Sequence, residues 1–333
     1  MNVAPPVGAF RSLPGWEQLP AGTAHRDVAD VAIDSADRVY VLARMDPAVL
    51  VYEPDGSFVG TWGSDVFSAA PHGITIGPDD TVYVVDEVFH SVQAYSTKGE
   101  PLFGVGPAEV PSDTGADTSI ADIHDRIASI RRSAGPYNRP TKLAVAPSGE
   151  FYVTDGYGNA RIHHFDADGR LIGSWGEPGS GPGQFHCPHS LTVGPDGRIF
   201  VCDRENDRIQ VFSATGEYLT EWTDFHRPAG ICYRDGLLYV AELAWRVGHR
   251  TWCHGTVEHA APGRITVADT EGRLITRFGG EDPCAADGFT APHGICVDSA
   301  GDVYVAEVTW TSGGRSGRFP ADCHTLVKLV SSL

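Results

Sequence analysis

Apolar residues along this chain fall in short alternating runs separated by Gly, Asp and Pro turns, the period-2 pattern of half-buried strands. The runs recur in sets. Each set reads as an apolar strand, a polar turn, a V-Y-V-x-[DE] strand, a third apolar strand, a D-x-x-G turn and a strand ending in W-G or F-G. The sets span 28–63, 73–106, 141–176, 190–222, 229–279 and 294–330. Four antiparallel strands repeated at about 40 to 50 residues are the sequence form of a β-propeller blade. The expected architecture is one all-β domain over residues 1–333, a six-bladed β-propeller. The last set lacks its fourth strand, and the segment around residues 15–19 is expected to supply it and close the ring.

Three stretches interrupt the repeat, at 107–138, 243–262 and 308–323. In the first, Ile120, Ile123, Ile127 and Ile130 recur at helical spacing, with Asp117 or Thr118 as a possible cap, so one short helix is expected in that loop. The other two are rich in Trp, Arg and Gly. Loops of that length often form lids or substrate walls.

Composition narrows the function. Many turns are implied by 39 Gly and 23 Pro. A formal charge of -18 disfavours nucleic acid and anionic membranes, because phosphate binding needs clustered Lys and Arg. No apolar run is long enough to span a bilayer, and the first residues show no leader pattern. Of the 7 cysteines, Cys202, Cys232 and Cys296 lie in apolar strands. The odd count without a leader points to a reducing cytoplasm.

The candidate chemistry starts with a dipeptide. Pro71-His72, Pro188-His189 and Pro292-His293 each open the innermost strand of a set, in the second, fourth and sixth blades. Alternate blades of a six-fold ring are about 120° apart, so three imidazoles would converge on the axis. A three-His tripod is the catalytic form of a zinc site, and other divalent metals also accept His. The other sets carry Asp27-Val28, Pro140-Thr141 and Pro228-Ala229 there, so the turn itself does not require histidine. The loop after the second strand faces the same side of the disc. Aligned on V-Y-V-x-[DE], it carries Arg44 in blade 1, Arg204 in blade 4 and, one position on, Tyr157 in blade 3. Arginines beside a metal suit a small anionic substrate. A tyrosine there is expected to act as a general base with a lowered pKa. His163 and His164 lie in a third-strand position and read as structural. Cys253-His254 and Cys323-His324 match no metal-site spacing.

These motifs resemble a family. The run DRENDRIQVF (203–212) is similar to NHL repeats. More specifically, PHGI (71–74), TDGYGNARI (154–162), GPGQFHCPHSL (181–191), the DREN run and PHGI (292–295) resemble the peptidyl-α-hydroxyglycine α-amidating lyases. The resemblance covers most of the chain. It implies a six-bladed propeller with zinc on His72, His189 and His293, a base at Tyr157, and active-site arginines at Arg44 and Arg204. It also implies cleavage of a carbinolamide to an amide and glyoxylate. Where the family has Met and Asp around the third histidine, this chain has Ala291 and Gly294. The family's structural calcium therefore lacks that Asp ligand. Gly158 replaces a family cysteine, so that disulfide is absent.

The leading expectation is a metal-dependent carbon–nitrogen lyase on a carbinolamide or related α-hydroxy compound. The alternatives are a metal-dependent hydrolase of lactonase or amidase type on the same site, and a non-catalytic NHL scaffold.

Overall fold

The computed structural model describes residues 9–320 and 322–332. The sequence expectation about a leader falls largely on residues 1–8, outside the described residues. The repeats fold as four-stranded antiparallel sheets. Their innermost strands are Val28–Ile33, Pro71–Ile76, Pro140–Val145, Pro188–Val193, Pro228–Arg234 and Pro292–Val297. These pack neighbour against neighbour round the whole ring, the last against the first, which makes a closed six-bladed propeller.

Each seam between blades holds its own apolar cluster. Ile74, Val84 and Leu42 fill one; Leu143, Val153 and Tyr137 fill the next; Ile199, Leu191 and Ile162 the one after. The outer turns are fixed by aspartates. The Oδ1 atoms of Asp34, Asp166, Asp269 and Asp298 each accept from the amides two and four residues on, which is why Asp recurs there. The acid ending V-Y-V-x-[DE] has a different task. Asp86, Asp155, Asp203, Glu242 and Glu307 each accept an amide of the loop entering their own blade.

An N-terminal strand closes the ring, as expected, but it is Ala9–Ser12 rather than the stretch at 15–19. It pairs antiparallel with Leu326–Ser332, with Phe10 opposite Ser331. Trp16 instead wedges the seam between the last and first blades, packed against Tyr52 and Tyr304, with its indole donating to Pro54 O. A bulky aromatic that must be buried on all sides suits a wedge better than an alternating strand.

The first insertion carries the expected helix, α1, over Ile123–Ala128. Asp122, not Asp117 or Thr118, caps it by accepting the Asp125 amide. Asp117 is engaged locally with Ser119, and Ile120 lies before the helix. The last insertion also forms a short helix, α2, over Thr309–Ser312. Cys284 and Cys323 are joined in a disulfide. Such bridges persist in oxidising compartments, so this one runs against the expected reducing cytoplasm. No helix among the described residues is long and apolar enough to cross a membrane.

Candidate metal centre

Every innermost strand carries a β-bulge at its second residue. In blade 2 the register runs Pro71 with Asp86 and then Gly73 with Val85, leaving His72 without a partner. The same shift falls on His189 and His293. A bulge re-aims a side chain, and here it turns three imidazoles inward. Their ring centroids are 4.8, 4.8 and 4.6 Å apart, and one ligand atom from each lies within 4.8 Å of the others. All three are buried.

The blades without histidine supply the orientation. His72 Nδ1 donates to Thr141 O, His189 Nδ1 to Ala229 O and His293 Nδ1 to Ala29 O, each at 2.7 Å. Thr141, Ala229 and Ala29 are the bulge residues of blades 3, 5 and 1. Three carbonyls thus alternate with three imidazoles round the axis. A donor at Nδ1 fixes the tautomer and leaves each Nε2 lone pair free. Burial, with Arg204 near all three and Arg44 near His72 and His293, drives His72 and His189 well below the ordinary imidazole value and His293 down to about 3. The rings are therefore neutral, as ligands must be. The donor set fits a divalent cation.

Tyr157 reaches the same point. Its hydroxyl lies 2.9 Å from His189 Nε2 and 3.2 Å from His72 Nε2. The backbone makes this possible: a Cβ on Gly156 would sit 2.3 Å from Pro188 O, and one on Gly158 would sit 2.1 Å from Asn138 Oδ1. The loop is pressed so tightly onto its neighbours that neither position admits a side chain. Arg204 Nη1 donates to Tyr157 Oη at 2.9 Å, and its guanidinium lies over the Tyr157 ring. The expected lowering of the Tyr157 pKa is not found. Burial pushes the phenol up to about 12, outweighing the pull of Arg204.

Arg44 stands across the same cavity, with Nη1 3.4 Å from Thr311 Oγ1 and 3.8 Å from Asp27 Oδ2. Its buried Nε has no protein partner among the described residues. The cavity measures about 390 Å³ and opens beside His293, Tyr157 and Arg204. Arg126, Arg227 and Arg246 also line it, with Glu87 the one acid among its lining residues. An anion would find a strongly positive pocket in a chain whose formal charge is -18.

Glu205 was not singled out in the sequence, although it follows Arg204 in the DREN run. It is fully buried, 2.7 Å from Arg204 Nε, 2.8 Å from Arg227 Nη2 and 3.1 Å from His124 Nε2. Burial would raise its carboxyl, but Arg227 and Arg204 hold it well below the usual range. It thereby aims Arg204 at Tyr157. The insertions roof the site. Ile127 and Ile130 share an apolar cluster with Tyr157 and Cys187. Trp252 stacks between His124 and His186, with centroids 4.5 and 4.1 Å away.

Other sequence candidates fall elsewhere. His163 is buried between Ser174 and Asp155, and His164 stacks on Tyr152, both structural as expected. Cys253 donates to Asn206 O, and Cys323 is consumed by the disulfide. The three histidines form the one cluster of potential metal ligands among the described residues. Beneath them the axis is plugged by Lys142, whose ammonium pairs with Asp30 and donates to Ile74 O. A Cβ on Gly294 would lie 2.2 Å from Asp30 Oδ1. A lysine cation in contact with that carboxylate leaves no fit for a structural calcium.

Comparison with known proteins agrees with this geometry. The NHL repeat family matches residues 137–165, 185–212 and 289–312. Peptidyl-glycine alpha-amidating monooxygenase B of Xenopus laevis is 34% identical over 275 residues, covering 79% of this chain and 28% of the frog protein. Peptidyl-alpha-hydroxyglycine alpha-amidating lyase 1 of Drosophila melanogaster is 29% identical over 289 residues, covering 79% of this chain and 47% of the fly protein. The chain thus spans about a quarter to a half of the length of these relatives. Among solved structures, a streptogramin B lyase superposes with a TM-score of 0.60 at 12% identity, covering 98% of each chain, a likeness of fold. The chain is an NHL-repeat six-bladed β-propeller that resembles the peptidyl-α-hydroxyglycine α-amidating lyases and has homologues of that name.

Proposed function

We propose that this chain is a metal-dependent lyase that cleaves the C–N bond of a small anionic carbinolamide, an N-acyl α-hydroxy amino acid or a close relative. The observation that carries the reading is the meeting of three neutral imidazole Nε2 atoms with the Tyr157 hydroxyl beside Arg204. The names of the frog and fly relatives support it. His72, His189 and His293 would hold the cation through Nε2. Zinc suits this donor set, and other divalent ions are compatible with it. When bound, such an ion acts as a Lewis acid that lowers the pKa of the substrate hydroxyl.

The chain's own residues then bind the substrate and move the proton. Arg44 and Arg204 face the cavity and grip the substrate carboxylate. Tyr157 holds its proton at rest, because burial raises its pKa. Its Oη takes the substrate hydroxyl proton and gives its own to the departing amide nitrogen. The C–N bond breaks as the carbonyl forms, releasing a primary amide and a 2-oxo acid without consuming water. The α1 insertion, packed on the Tyr157 ring, keeps solvent from the relay.

The acyl product tests this reading. Turnover of an N-acyl-α-hydroxyglycine in ¹⁸O-water should yield unlabelled primary amide. Labelled carboxylic acid would show a hydrolase instead.

A further inference from the structure

A second cavity, about 570 Å³, lies beside the first. Ala244, Arg246 and Thr290 line both, so the two adjoin at these residues. Thr290 is three residues from His293 in sequence, which puts the junction close to the tripod. Beyond the junction the walls change character. Trp245, Val247, Pro262, Phe289 and Phe319 make them largely apolar. Val247 is 69% exposed, a large apolar residue left open on the wall.

The walls come from the insertions at 243–262 and 308–323 and from the segment entering blade 6. They are built to stay in place. The Cys284–Cys323 disulfide ties the segment carrying Glu281 and Pro283 to the one carrying Arg318 and Phe319. Phe319 packs against Gly313, where a Cβ would sit 2.4 Å from its ring. Arg246 guards the junction. Among the described residues no carboxylate pairs with it, and burial beside Arg318 and Arg227 lowers its pKa to about 10. A cation at the neck and an apolar chamber behind it suit a ligand that is anionic at one end and apolar at the other.

Resting on the lyase reading, we propose that this side chamber receives an uncharged apolar acyl arm on the amide side of the scissile bond, so that the substrate class is N-acyl α-hydroxy acids with extended apolar acyl groups. The carboxylate stays with the arginines at the tripod, and the acyl arm passes Arg246 and Thr290 into the chamber.

Binding tests this separately from turnover. The probes are N-acetylglycine, N-hexanoylglycine and N-glutarylglycine, titrated calorimetrically into the zinc-loaded protein. They share the anionic end and lack the hydroxyl, so none can react. The hexanoyl probe should bind at least about tenfold more tightly than the acetyl probe, since each buried methylene contributes favourably. The glutaryl probe, of similar length but charged, should not share that gain. Ala260→Trp, at an exposed wall position, and Val247→Asp should each shrink the hexanoyl-to-acetyl ratio to within about twofold, with far-UV circular dichroism confirming the fold. A wild-type ratio near one, an unchanged ratio in both variants, or failure of every probe to bind would overturn the proposal. If the hexanoyl preference and its loss hold while no amide is released from N-hexanoyl-α-hydroxyglycine, the chamber stands and the lyase reading falls.

Discussion

In the proposed reaction Tyr157 is the residue on which the chemistry turns. Its hydroxyl touches two imidazole nitrogens and a guanidinium, yet burial keeps it protonated, with a pKa near 12. A relay that gives and takes a proton in one event needs that state; a resting phenolate does not fit it. Tyr157→Phe should cut kcat by about 10² to 10⁴, the usual worth of a positioned acid–base group. Metal content should stay unchanged. Turnover of the Phe variant at the wild-type rate with metal bound would remove the relay. At this scale the sequence was informative where the repeat constrained it. His72, His189, His293, Tyr157, Arg44 and Arg204 all fall on one cavity or its floor, because aligned repeats place equivalent residues on one face. The direction of the Tyr157 shift was not legible, since desolvation depends on α1 packing over the ring. Glu205 was missed for a related reason. A carboxylate in a loop gives no sign in sequence that it is buried among Arg204, Arg227 and His124.

Among elements, the blades and the helix of the first insertion were readable, but the contacts that hold the insertions in place were not. Strands carry their own period, whereas α1 depends on partners that lie far along the chain. Arg250 reaches back to Asp125, and Trp252 lies between His124 and His186. This contact joins two insertions into one roof. Trp252→Ala removes it. Hydrogen exchange over 123–128 should then quicken, as expected for an element that has lost its packing. KM should rise about tenfold while kcat changes less, because a loosened roof weakens uniform binding. Unchanged exchange in α1 would mean that the helix stands without Trp252. The closing strand shows the same limit in reverse. Residues 15–19 offered the more conspicuous aromatic, but Trp16 is consumed in the seam, and the quieter Ala9–Ser12 makes the sheet.

For the whole molecule, the ring sets the electrostatics of its axis. Three buried imidazoles and Lys142 share a narrow channel, and each histidine is held below its ordinary pKa. A depressed histidine pKa means that the unfolded chain binds protons which the folded chain refuses. Chelator-treated protein should therefore lose stability as pH falls below about 6.5, continuing toward pH 3. Within that window His293 alone contributes about 1.4 kcal/mol per pH unit. Urea titrations between pH 7 and pH 4 measure it, and a flat profile would show that the rings are protonated in the folded state. The Cys284–Cys323 bridge also belongs to this scale. Cysteine pairing depends on which loops meet in the fold, so counting cysteines along the chain did not reveal it.

The central claim is that His72, His189 and His293 hold one catalytic divalent ion. The metal content of the purified protein, set beside that of a His189→Ala variant, tests it most directly. The account predicts about one divalent ion per chain in the parent protein and a small fraction of that in the variant, with the propeller still folded. No stoichiometric metal in the parent, or equal metal in both, would contradict it.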